Sequence, residues 1–233
     1  MSEALFGILR KVTTATMTTM LLKKGIRRCW MNGPKPLNPT GERLVGRAFT
    51  LRFIPAREDV ATPESWGHPI STRAAIEEMP EGVIAVADAM GVPGAGIFGD
   101  ILCARMRKRN VAALITDGVV RDRAGVLMSA LPVWCAGTAA PASVNGLTFV
   151  GWQQPIGCGG CAIFPDDVIV ADDDGAVVIP QALLEFVAHE GAEHELYESW
   201  VFGEVESGVK LPGLYPPNEE AKARYAAWRK SRS

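Results

Sequence analysis

Two short apolar runs on either side of a helical segment constrain the fold more than any other feature of the 233-residue chain. Residues 83–87 (VIAVA) and 111–116 (VAALIT) have the length and composition of buried strands, and residues 97–109 between them have helical spacing. A strand, a helix and a second strand of this size form a βαβ unit with parallel neighbouring strands. The sequence therefore predicts an α/β protein whose ligands bind at the carboxyl edge of these strands.

Further elements complete a mixed sheet around this unit. Helices are predicted in five places: 12–24, 71–79, a short segment after residue 122, 181–206 with a soft break at Gly203, and 218–229. Strands are predicted at 46–53 (half-buried by its alternation), 133–135, 147–153, 168–171 and 176–179. Residues 172–175 (DDDG) predict a hairpin between the last two strands. We expect one domain over residues 1–233, with a helical C-terminal extension over about 181–233.

Composition and charge exclude several classes of protein. The chain has 24 basic and 26 acidic residues, a formal net charge of −2, so it lacks the basic excess of a nucleic-acid binder. No segment approaches the ~18 uninterrupted apolar residues of a membrane span. The five cysteines are an odd number at low density, which favours reduced thiols and a cytoplasmic location. We expect neither a nucleic-acid nor a membrane partner.

The segment 94–99 (GAGIFG) matches the glycine pattern of dinucleotide-binding loops, but its surroundings argue against that function. Pro93 interrupts the tight turn that should lead from strand to helix. Asp100 follows the last glycine, where its charge would repel a pyrophosphate at the helix start. No second βαβ half is visible, so we favour a plain loop.

Two other motifs are also interpreted as structural. Cys158 and Cys161 enclose two glycines, but a zinc site needs three or four ligands and no second close pair exists. A glycine turn with two small sulfur side chains is the preferred interpretation. His189 and His194 stand five positions apart, which separates them by about 140° around a helix. They are interpreted as part of a solvated helix face rather than as ligands of one metal.

The pairs Gly99-Asp100 and Arg121-Asp122 carry the strongest functional signal. The first pair begins the predicted helix of the βαβ unit, and the second follows its second strand. A helix start and the carboxyl end of the following strand lie side by side at one sheet edge, where open α/β sheets bind ligands. We therefore expect the four residues to share one crevice.

Each part of this crevice suits a 2-keto acid. The N–H groups of Ile101 and Leu102 at the helix start would bind a carboxylate. The guanidinium of Arg121 makes bidentate contacts with anionic oxygens, and Asp122 is a ligand for Mg²⁺ or Mn²⁺ that leaves several waters on the ion. The alternative, left open by the residues alone, is a buried structural Arg–Asp pair with Asp100 as an acid at the helix start.

The pattern Gly99-Asp100, twenty residues, Arg121-Asp122 resembles the signature of the RraA-like family. That family includes the 4-hydroxy-4-methyl-2-oxoglutarate/4-carboxy-4-hydroxy-2-oxoadipate aldolases. The resemblance extends to 46–50 (GRAFT), 155–160 (PIGCGG) and 165–180, which contains the predicted hairpin. It implies a β/β/α swivelling fold of the phosphohistidine-domain type, here with a C-terminal helical arm. It also implies a homotrimer or homohexamer with active sites at subunit interfaces.

The resemblance further implies a class II, metal-dependent carbon–carbon lyase that releases pyruvate, as a 4-hydroxy-2-oxoacid aldolase, an oxaloacetate decarboxylase, or both. Carried over by position, Asp122 holds Mg²⁺ or Mn²⁺ and Arg121 binds pyruvate and its enolate. The amides of Ile101 and Leu102, next to Gly99, hold the substrate carboxylate. Asp100 belongs to the water network that moves protons.

Two alternative functions remain on the same scaffold: a non-catalytic regulator of a ribonuclease or other enzyme, and a sugar-acid dehydratase. The sequence does not fix the distal part of the substrate, the preferred metal, the base, or trimer against hexamer. Arg52 or Arg57 is a candidate for binding a second substrate carboxylate. Glu193 or Glu198 is a candidate for an acid supplied by a neighbouring subunit.

Overall fold

The computed structural model describes residues 2–39 and 41–231, so residues 1, 40, 232 and 233 of the predicted domain lie outside the described part. The helices are α1 (Ser2–Leu9), α2 (Thr14–Lys23), α3 (Thr72–Glu78), α4 (Asp100–Lys108), α5 (Arg123–Met128), α6 (Leu184–Glu206) and α7 (Glu219–Lys230). The strands are β1 (Lys35–Pro36), β2 (Leu44–Pro55), β3 (Ile84–Asp88), β4 (Ala113–Thr116), β5 (Val119–Val120), β6 (Val133–Cys135), β7 (Gly137–Thr138), β8 (Leu147–Trp152), β9 (Val168–Asp172) and β10 (Gly175–Ile179).

The main sheet is mixed and curls around the long strand β2. Its order is β1-β6-β4-β3-β2-β9-β10, with β8 also paired to β2. The pairs β2/β3, β3/β4 and β4/β6 are parallel, whereas β9 and β8 pair antiparallel with successive parts of β2. The short parallel pair β5/β7 forms a second sheet just beyond the carboxyl ends of β4 and β6. The predicted βαβ unit is therefore β3, α4 and β4.

Two apolar clusters cover the two faces of this sheet. One joins α1, α2 and the start of α6 to the β9–β10 hairpin, and the other joins α3, α4 and α5 to the parallel strands. Helix α2 begins with an N-cap, because the Thr13 hydroxyl accepts from the N–H of Thr16 at 3.1 Å. Over the described residues, no helix is both long and apolar enough to cross a membrane.

The prediction that residues 46–53 are half-buried is wrong for most of β2. Ala48 packs in the first cluster, whereas Phe49 and Leu51 pack in the second. Thr50 is also fully buried, and Arg52 is the exposed exception within this segment. An alternating pattern predicts one solvated face, but β2 lies inside the sheet and helices cover both faces there.

The C-terminal extension forms a helical hairpin with its own small core. Trp200, Leu214 and Ala221 are buried there, with Tyr197 and Tyr225 packed against them. The predicted break at Gly203 is absent, because α6 runs unbroken to Glu206. Helix α1 was not predicted at all, since its eight residues carry no clear sequence signal.

Candidate active site

Three loops meet at the carboxyl edge of the parallel strands, after β3, β4 and β6. The N–H of Ile97 donates to the carbonyl of Val119 at 3.0 Å, and the N–H of Arg121 donates to the carbonyl of Phe98 at 2.9 Å. The N–H of Gly96 donates to the carbonyl of Pro141 at 2.9 Å. These backbone hydrogen bonds fix the loop before α4 against the segment that ends in Arg121 and Asp122.

Glycines make this close approach possible. A Cβ atom on Gly96 would lie 2.8 Å from the Cβ of Arg121, and one on Gly99 would lie 2.6 Å from Oδ2 of Asp122. The first contact cannot be relieved easily, because a hydrogen bond fixes the backbone of Arg121, whereas the second would require the Asp122 carboxylate to shift. The glycine pattern of residues 94–99 therefore serves loop packing, which agrees with its interpretation as a plain loop.

The predicted convergence of the helix start with Arg121 and Asp122 is present. A pocket of about 310 Å³ is lined by residues 96–97, 99–102 and 121–122, together with side chains from two other segments. The Nε of Arg121 lies 3.1 Å from Oδ2 of Asp122, and 37% and 44% of the two side chains stay exposed. The alternative of a buried structural ion pair does not fit these exposures.

Asp122 has a left-handed backbone, with φ 55° and ψ 44°, directly before α5. Aspartate visits this region more often than most residues, at a cost of about 1–2 kcal/mol. The Asp122 side chain forms no capping hydrogen bond with α5 that would offset this cost. Backbone strain that no local hydrogen bond offsets is typical of functional positions.

Asp100 lies at the first position of α4, on the same pocket. Its Oδ1 accepts the N–H of Ile101 at 2.7 Å, so one of the two amides predicted to bind substrate already has a partner. A Cβ atom on Gly125 would lie 2.7 Å from the Oδ2 of Asp100, which shows how closely α5 packs against this carboxylate. A substrate carboxylate would have to displace Oδ1 of Asp100 to reach the Ile101 amide.

Besides the residues before and at the start of α4, the pocket is lined by five residues that the sequence does not predict: Trp66, Thr72, Arg73, Ala142 and Ser143. The guanidinium of Arg73 lies over the Trp66 ring, 5.0 Å from its centroid, and adds a second positive charge to the pocket. Burial lowers the pKa of Arg73, although this group remains protonated at any ordinary pH. No spacing in the sequence connects residues 66–73 to the signature, so only tertiary structure reveals them.

Asp117, which precedes Arg121 by four positions in the sequence, is a buried structural carboxylate. Its Oδ1 accepts the N–H of Ala89 at 2.8 Å, and its Oδ2 accepts the N–H of Gly159 at 3.1 Å. Burial, its largest influence, raises the pKa of Asp117, and the two backbone donors oppose that shift. This carboxylate attaches the turn between Cys158 and Cys161 to the sheet edge.

The two cysteines of that turn are buried and free, as expected for a structural turn. The thiol of Cys161 donates to the carbonyl of Trp30 at 3.1 Å, and burial raises the pKa of both thiols. His189 is exposed, whereas His194 lies 3.2 Å from Glu198 on the same face of α6. The cysteine turn agrees with its structural interpretation, whereas a solvated face describes His189 but not His194, because only 20% of the His194 side chain is exposed.

The pocket is not lined by the residues considered for binding a second substrate carboxylate or for supplying an acid to a neighbouring subunit, which are Arg52, Arg57, Glu193 and Glu198. Glu193 accepts from the Tyr225 hydroxyl at 3.1 Å, and Glu198 accepts from the Tyr215 hydroxyl at 2.7 Å, so both carboxylates hold the C-terminal hairpin together. Arg57 pairs with the neighbouring Asp59, and both are well exposed.

The donor set of the pocket fits a divalent cation that brings its own waters. Within residues 2–39 and 41–231, no three His, Cys, Asp or Glu side chains lie close enough to hold a metal ion by themselves. Mg²⁺ is usually held by one or two carboxylates and completes its shell with water and substrate oxygens. Asp122 and Asp100 line the same pocket and fit an ion bound in this way.

Fold and site together define an α/β protein with a pocket lined by two arginines and two aspartates at the carboxyl edge of its parallel strands. The chain belongs to the RraA-like family, whose model, described as Aldolase/RraA, matches residues 13–178. This match confirms the resemblance found in the sequence, and the matched region ends before α6. The family includes aldolases.

Several relatives show the range of the family. The chain is 34% identical over 154 residues to a Halalkalibacterium halodurans protein named "Putative 4-hydroxy-4-methyl-2-oxoglutarate aldolase", covering 66% of this chain and 67% of that protein. It is 28% identical over 177 residues to protein DlpA of Legionella pneumophila, covering 76% of this chain. The matched part spans only 28% of the length of DlpA.

A solved structure confirms the predicted fold class. Streptomyces coelicolor RraAS2, described as an unusual member of the RNase ES inhibitor RraA protein family, superposes with a TM-score of 0.76. The two chains are 34% identical, and the alignment covers 84% of this chain and 94% of RraAS2. An uncharacterized protein from Pseudomonas syringae pv. tomato gives the same TM-score at 24% identity, covering 90% and 96% of the two chains.

Proposed function

We propose that this protein is a divalent-metal-dependent carbon–carbon lyase that acts on 2-keto acids and releases pyruvate. Its reactions would be the retro-aldol cleavage of 4-hydroxy-2-keto acids, the decarboxylation of oxaloacetate, or both. The observation that carries the proposal is the half-exposed Arg121–Asp122 pair, which shares a pocket with the start of α4. In this arrangement the Arg121 guanidinium, the Asp122 carboxylate and the amides at the start of α4 surround a space large enough for pyruvate.

The start of α4 would bind the substrate carboxylate. Leu102 and Ile101 lie in the first turn of the helix, where backbone N–H groups and the helix dipole favour an anion. An incoming carboxylate would replace Oδ1 of Asp100 at the Ile101 amide. That exchange would free the Asp100 carboxylate for a role in proton transfer.

Asp122 would hold Mg²⁺ or Mn²⁺, and Asp100, which lines the same pocket, would accept hydrogen bonds from water. Bound there, the ion would serve as a Lewis acid toward the keto oxygen. Arg121 would donate hydrogen bonds to the same oxygen, which gains negative charge as the carbon–carbon bond breaks. The Arg73 guanidinium adds to the positive potential that favours this charge.

Asp100 would accept and return the protons that the reaction moves. In the retro-aldol reaction its carboxylate, acting through a water, would accept the proton of the 4-hydroxyl while the C3–C4 bond breaks. The electron pair of that bond passes to C3 and the keto oxygen, giving the pyruvate enolate, which then takes a proton at C3. Decarboxylation of oxaloacetate needs no base, because carbon dioxide leaves directly.

The test is a pyruvate assay coupled to lactate dehydrogenase. Purified protein should release pyruvate from oxaloacetate or 4-hydroxy-4-methyl-2-oxoglutarate with Mg²⁺ or Mn²⁺, and EDTA should abolish the release. Arg121→Ala should lower kcat/KM by about 100-fold or more, because its charge acts on the developing oxyanion. No pyruvate with either metal, or wild-type turnover in Arg121→Ala, would contradict the proposal.

Arg105→Ala is the matched control. Arg105 is also an arginine in an ion pair, 2.7 Å from Glu77, with half of its side chain exposed. It belongs to α4 but does not line the pocket. This variant should keep wild-type turnover.

A non-catalytic regulator is the second candidate, favoured by the 34% identity to RraAS2 over most of both chains. It predicts that no divalent metal elicits pyruvate release and that the protein inhibits a purified RNase ES-type ribonuclease in a cleavage assay. The two candidates therefore give opposite results with the same preparation.

We also propose that the chain forms a homotrimer or homohexamer with the pocket at a subunit interface. Two exposed apolar side chains support this assembly: Ile101, which lines the pocket, is 78% exposed, and Met128 at the end of α5 is 86% exposed. Light scattering after gel filtration should give three or six times the chain mass. A particle of 25.0 kDa would contradict the proposal.

A further inference from the structure

A second pocket opens directly beside the candidate active site. It is lined by residues 59–62, 64–72, 143–144 and 147–150 and has a volume of about 760 Å³. Trp66, Thr72 and Ser143 line both this pocket and the candidate active site. We call it the tail pocket, because a molecule bound at Arg121 would extend into it past Trp66.

The walls of the tail pocket are largely apolar. Val60 and Ile70 are 40% and 49% exposed there, and Val144, Leu147 and Phe149 line the opposite side. Large apolar side chains left open to solvent in a concave site are typical of ligand pockets, which span about 300–1,000 Å³. The volume suits an aromatic ring or a branched aliphatic group.

The charges of the tail pocket disfavour a second carboxylate. Among the described residues that line it, Asp59 and Glu64 are acidic and none is lysine or arginine. A side-chain hydrogen bond from Thr62 is the main cause that lowers the pKa of Glu64, so this group stays anionic at neutral pH. Arg57 lies just outside this lining, but both carboxylate oxygens of Asp59 accept from it, so its charge is offset, and Arg73 lines the candidate active site instead.

Trp66 lies between the positively charged candidate active site and the apolar tail pocket. Its ring carries the Arg73 guanidinium at 5.0 Å, and Arg73 faces the candidate active site together with Arg121. Positive charge is therefore concentrated at the keto-acid end, and apolar surface at the other end. A ligand that spans both pockets would be an anion at one end only.

We infer that the tail pocket binds the distal part of the substrate and selects a neutral, apolar group, such as an aryl or branched alkyl group, over a second carboxylate. This inference rests on the proposed lyase function and names its substrate class: 4-hydroxy-2-keto acids with an apolar substituent on C4. Cleavage of the C3–C4 bond turns the 4-hydroxyl carbon into an aldehyde that carries the apolar group. The electron pair of the bond and one proton go to pyruvate.

Three substrates with the same keto-acid end test this inference: 4-hydroxy-2-oxo-4-phenylbutanoate, 4-hydroxy-2-oxopentanoate and 4-hydroxy-4-methyl-2-oxoglutarate. Burial of a phenyl ring should raise kcat/KM by about tenfold or more over the methyl compound. The dicarboxylate should be the poorest of the three. A wild-type preference for the dicarboxylate would overturn the inference.

Ile70→Arg is the matching variant, because Ile70 is exposed in the tail pocket and its replacement leaves the core intact. The added guanidinium should lower kcat/KM for the phenyl compound by about tenfold and raise it for the dicarboxylate. Leu211→Arg, at a site that is 54% exposed in the C-terminal extension, should keep the wild-type ratio. An unchanged ratio in Ile70→Arg would overturn the inference.

A binding measurement separates failure of this inference from failure of the lyase proposal. Saturation-transfer NMR with phenylpyruvate should show the strongest transfer to the phenyl protons in the wild type and a large loss in Ile70→Arg. If no substrate, oxaloacetate included, releases pyruvate but this pattern is seen, the lyase proposal fails and the tail pocket stands. Absence of phenyl transfer overturns the tail pocket whatever the activity.

Discussion

Two aspartates near the end of β4 have opposite environments. Asp117 is 8% exposed, and both of its oxygens accept backbone N–H groups, from Ala89 and Gly159. Asp122 is exposed, has a left-handed backbone, and contacts Arg121 across the mouth of a pocket. The first carboxylate stabilises the fold, whereas the second has acceptor capacity left for a ligand.

The comparison shows that two carboxylates at the same sheet edge can differ in what they contribute to stability and in what they can bind. A buried carboxylate with its acceptors occupied is costly to disturb and chemically inert. An exposed carboxylate in a strained conformation contributes little to stability. Substitutions at the two positions should therefore have opposite effects on stability and on activity.

The largest expected effect is on activity at Asp122. Asp122→Asn keeps a side chain that tolerates the left-handed region, so the fold should persist. Loss of the charge should lower kcat/KM for pyruvate release by about 100-fold or more. The free energy of unfolding, measured by urea denaturation, should change by no more than about 0.5 kcal/mol. A comparable loss in Asp166→Asn, an exposed aspartate that also has a left-handed backbone but lines neither pocket, would contradict this prediction.

Asp117→Asn should have the next largest effect, and on stability. The amide offers one acceptor oxygen where the carboxylate supplies two, so one of the two backbone N–H groups is left facing an NH₂ group. The expected destabilisation is about 1–3 kcal/mol. Urea denaturation measures it directly, and a loss below 0.5 kcal/mol would mean that Asp117 is not the structural partner described above.

Gly99→Ala tests how the pocket is positioned. The new methyl group would lie 2.6 Å from Oδ2 of Asp122 and would push that carboxylate away from its place. Displaced catalytic groups lower rates sharply, so kcat/KM should fall by about tenfold. Gly67→Ala, where a Cβ meets nothing within 4 Å, is the control and should show no such loss.

The smallest expected effect concerns pH. Burial raises the pKa of Asp117 above 3.8, so the folded state binds its proton more tightly than the unfolded state does. Stability from this group is therefore present at low pH and is lost as the pH rises through the raised pKa. Unfolding measured from pH 3.5 to pH 6 should show this fall in the wild type and lack it in Asp117→Asn. Identical pH dependence in the two proteins would contradict this prediction.

Much of the fold follows from local sequence signals. The apolar runs, the hairpin at residues 172–175 and the strand Val133–Cys135 are where the patterns indicate. Burial of β2 was predicted wrongly because alternation reports side-chain type and not the number of covered faces. Helix α1 was missed because eight residues give too short a window for periodicity.

The candidate site was predictable in part. Spacing within one βαβ unit brings Asp100 to Arg121 and Asp122, and that geometry follows from topology. Trp66 and Arg73 belong to a segment between β2 and α3 that reaches the pocket only through tertiary packing. The hydrogen bond from Ile101 to Asp100 depends on one rotamer, which no sequence pattern fixes.

The central claim is that Asp122, and not the buried Asp117, is the carboxylate that binds a ligand. Mn²⁺ titration followed by the relaxation rate of water protons tests it most directly, with and without pyruvate. Wild-type protein and Asp166→Asn should both enhance relaxation, more strongly when pyruvate is present, and Asp122→Asn should lose that enhancement. Equal enhancement in all three proteins would contradict the account.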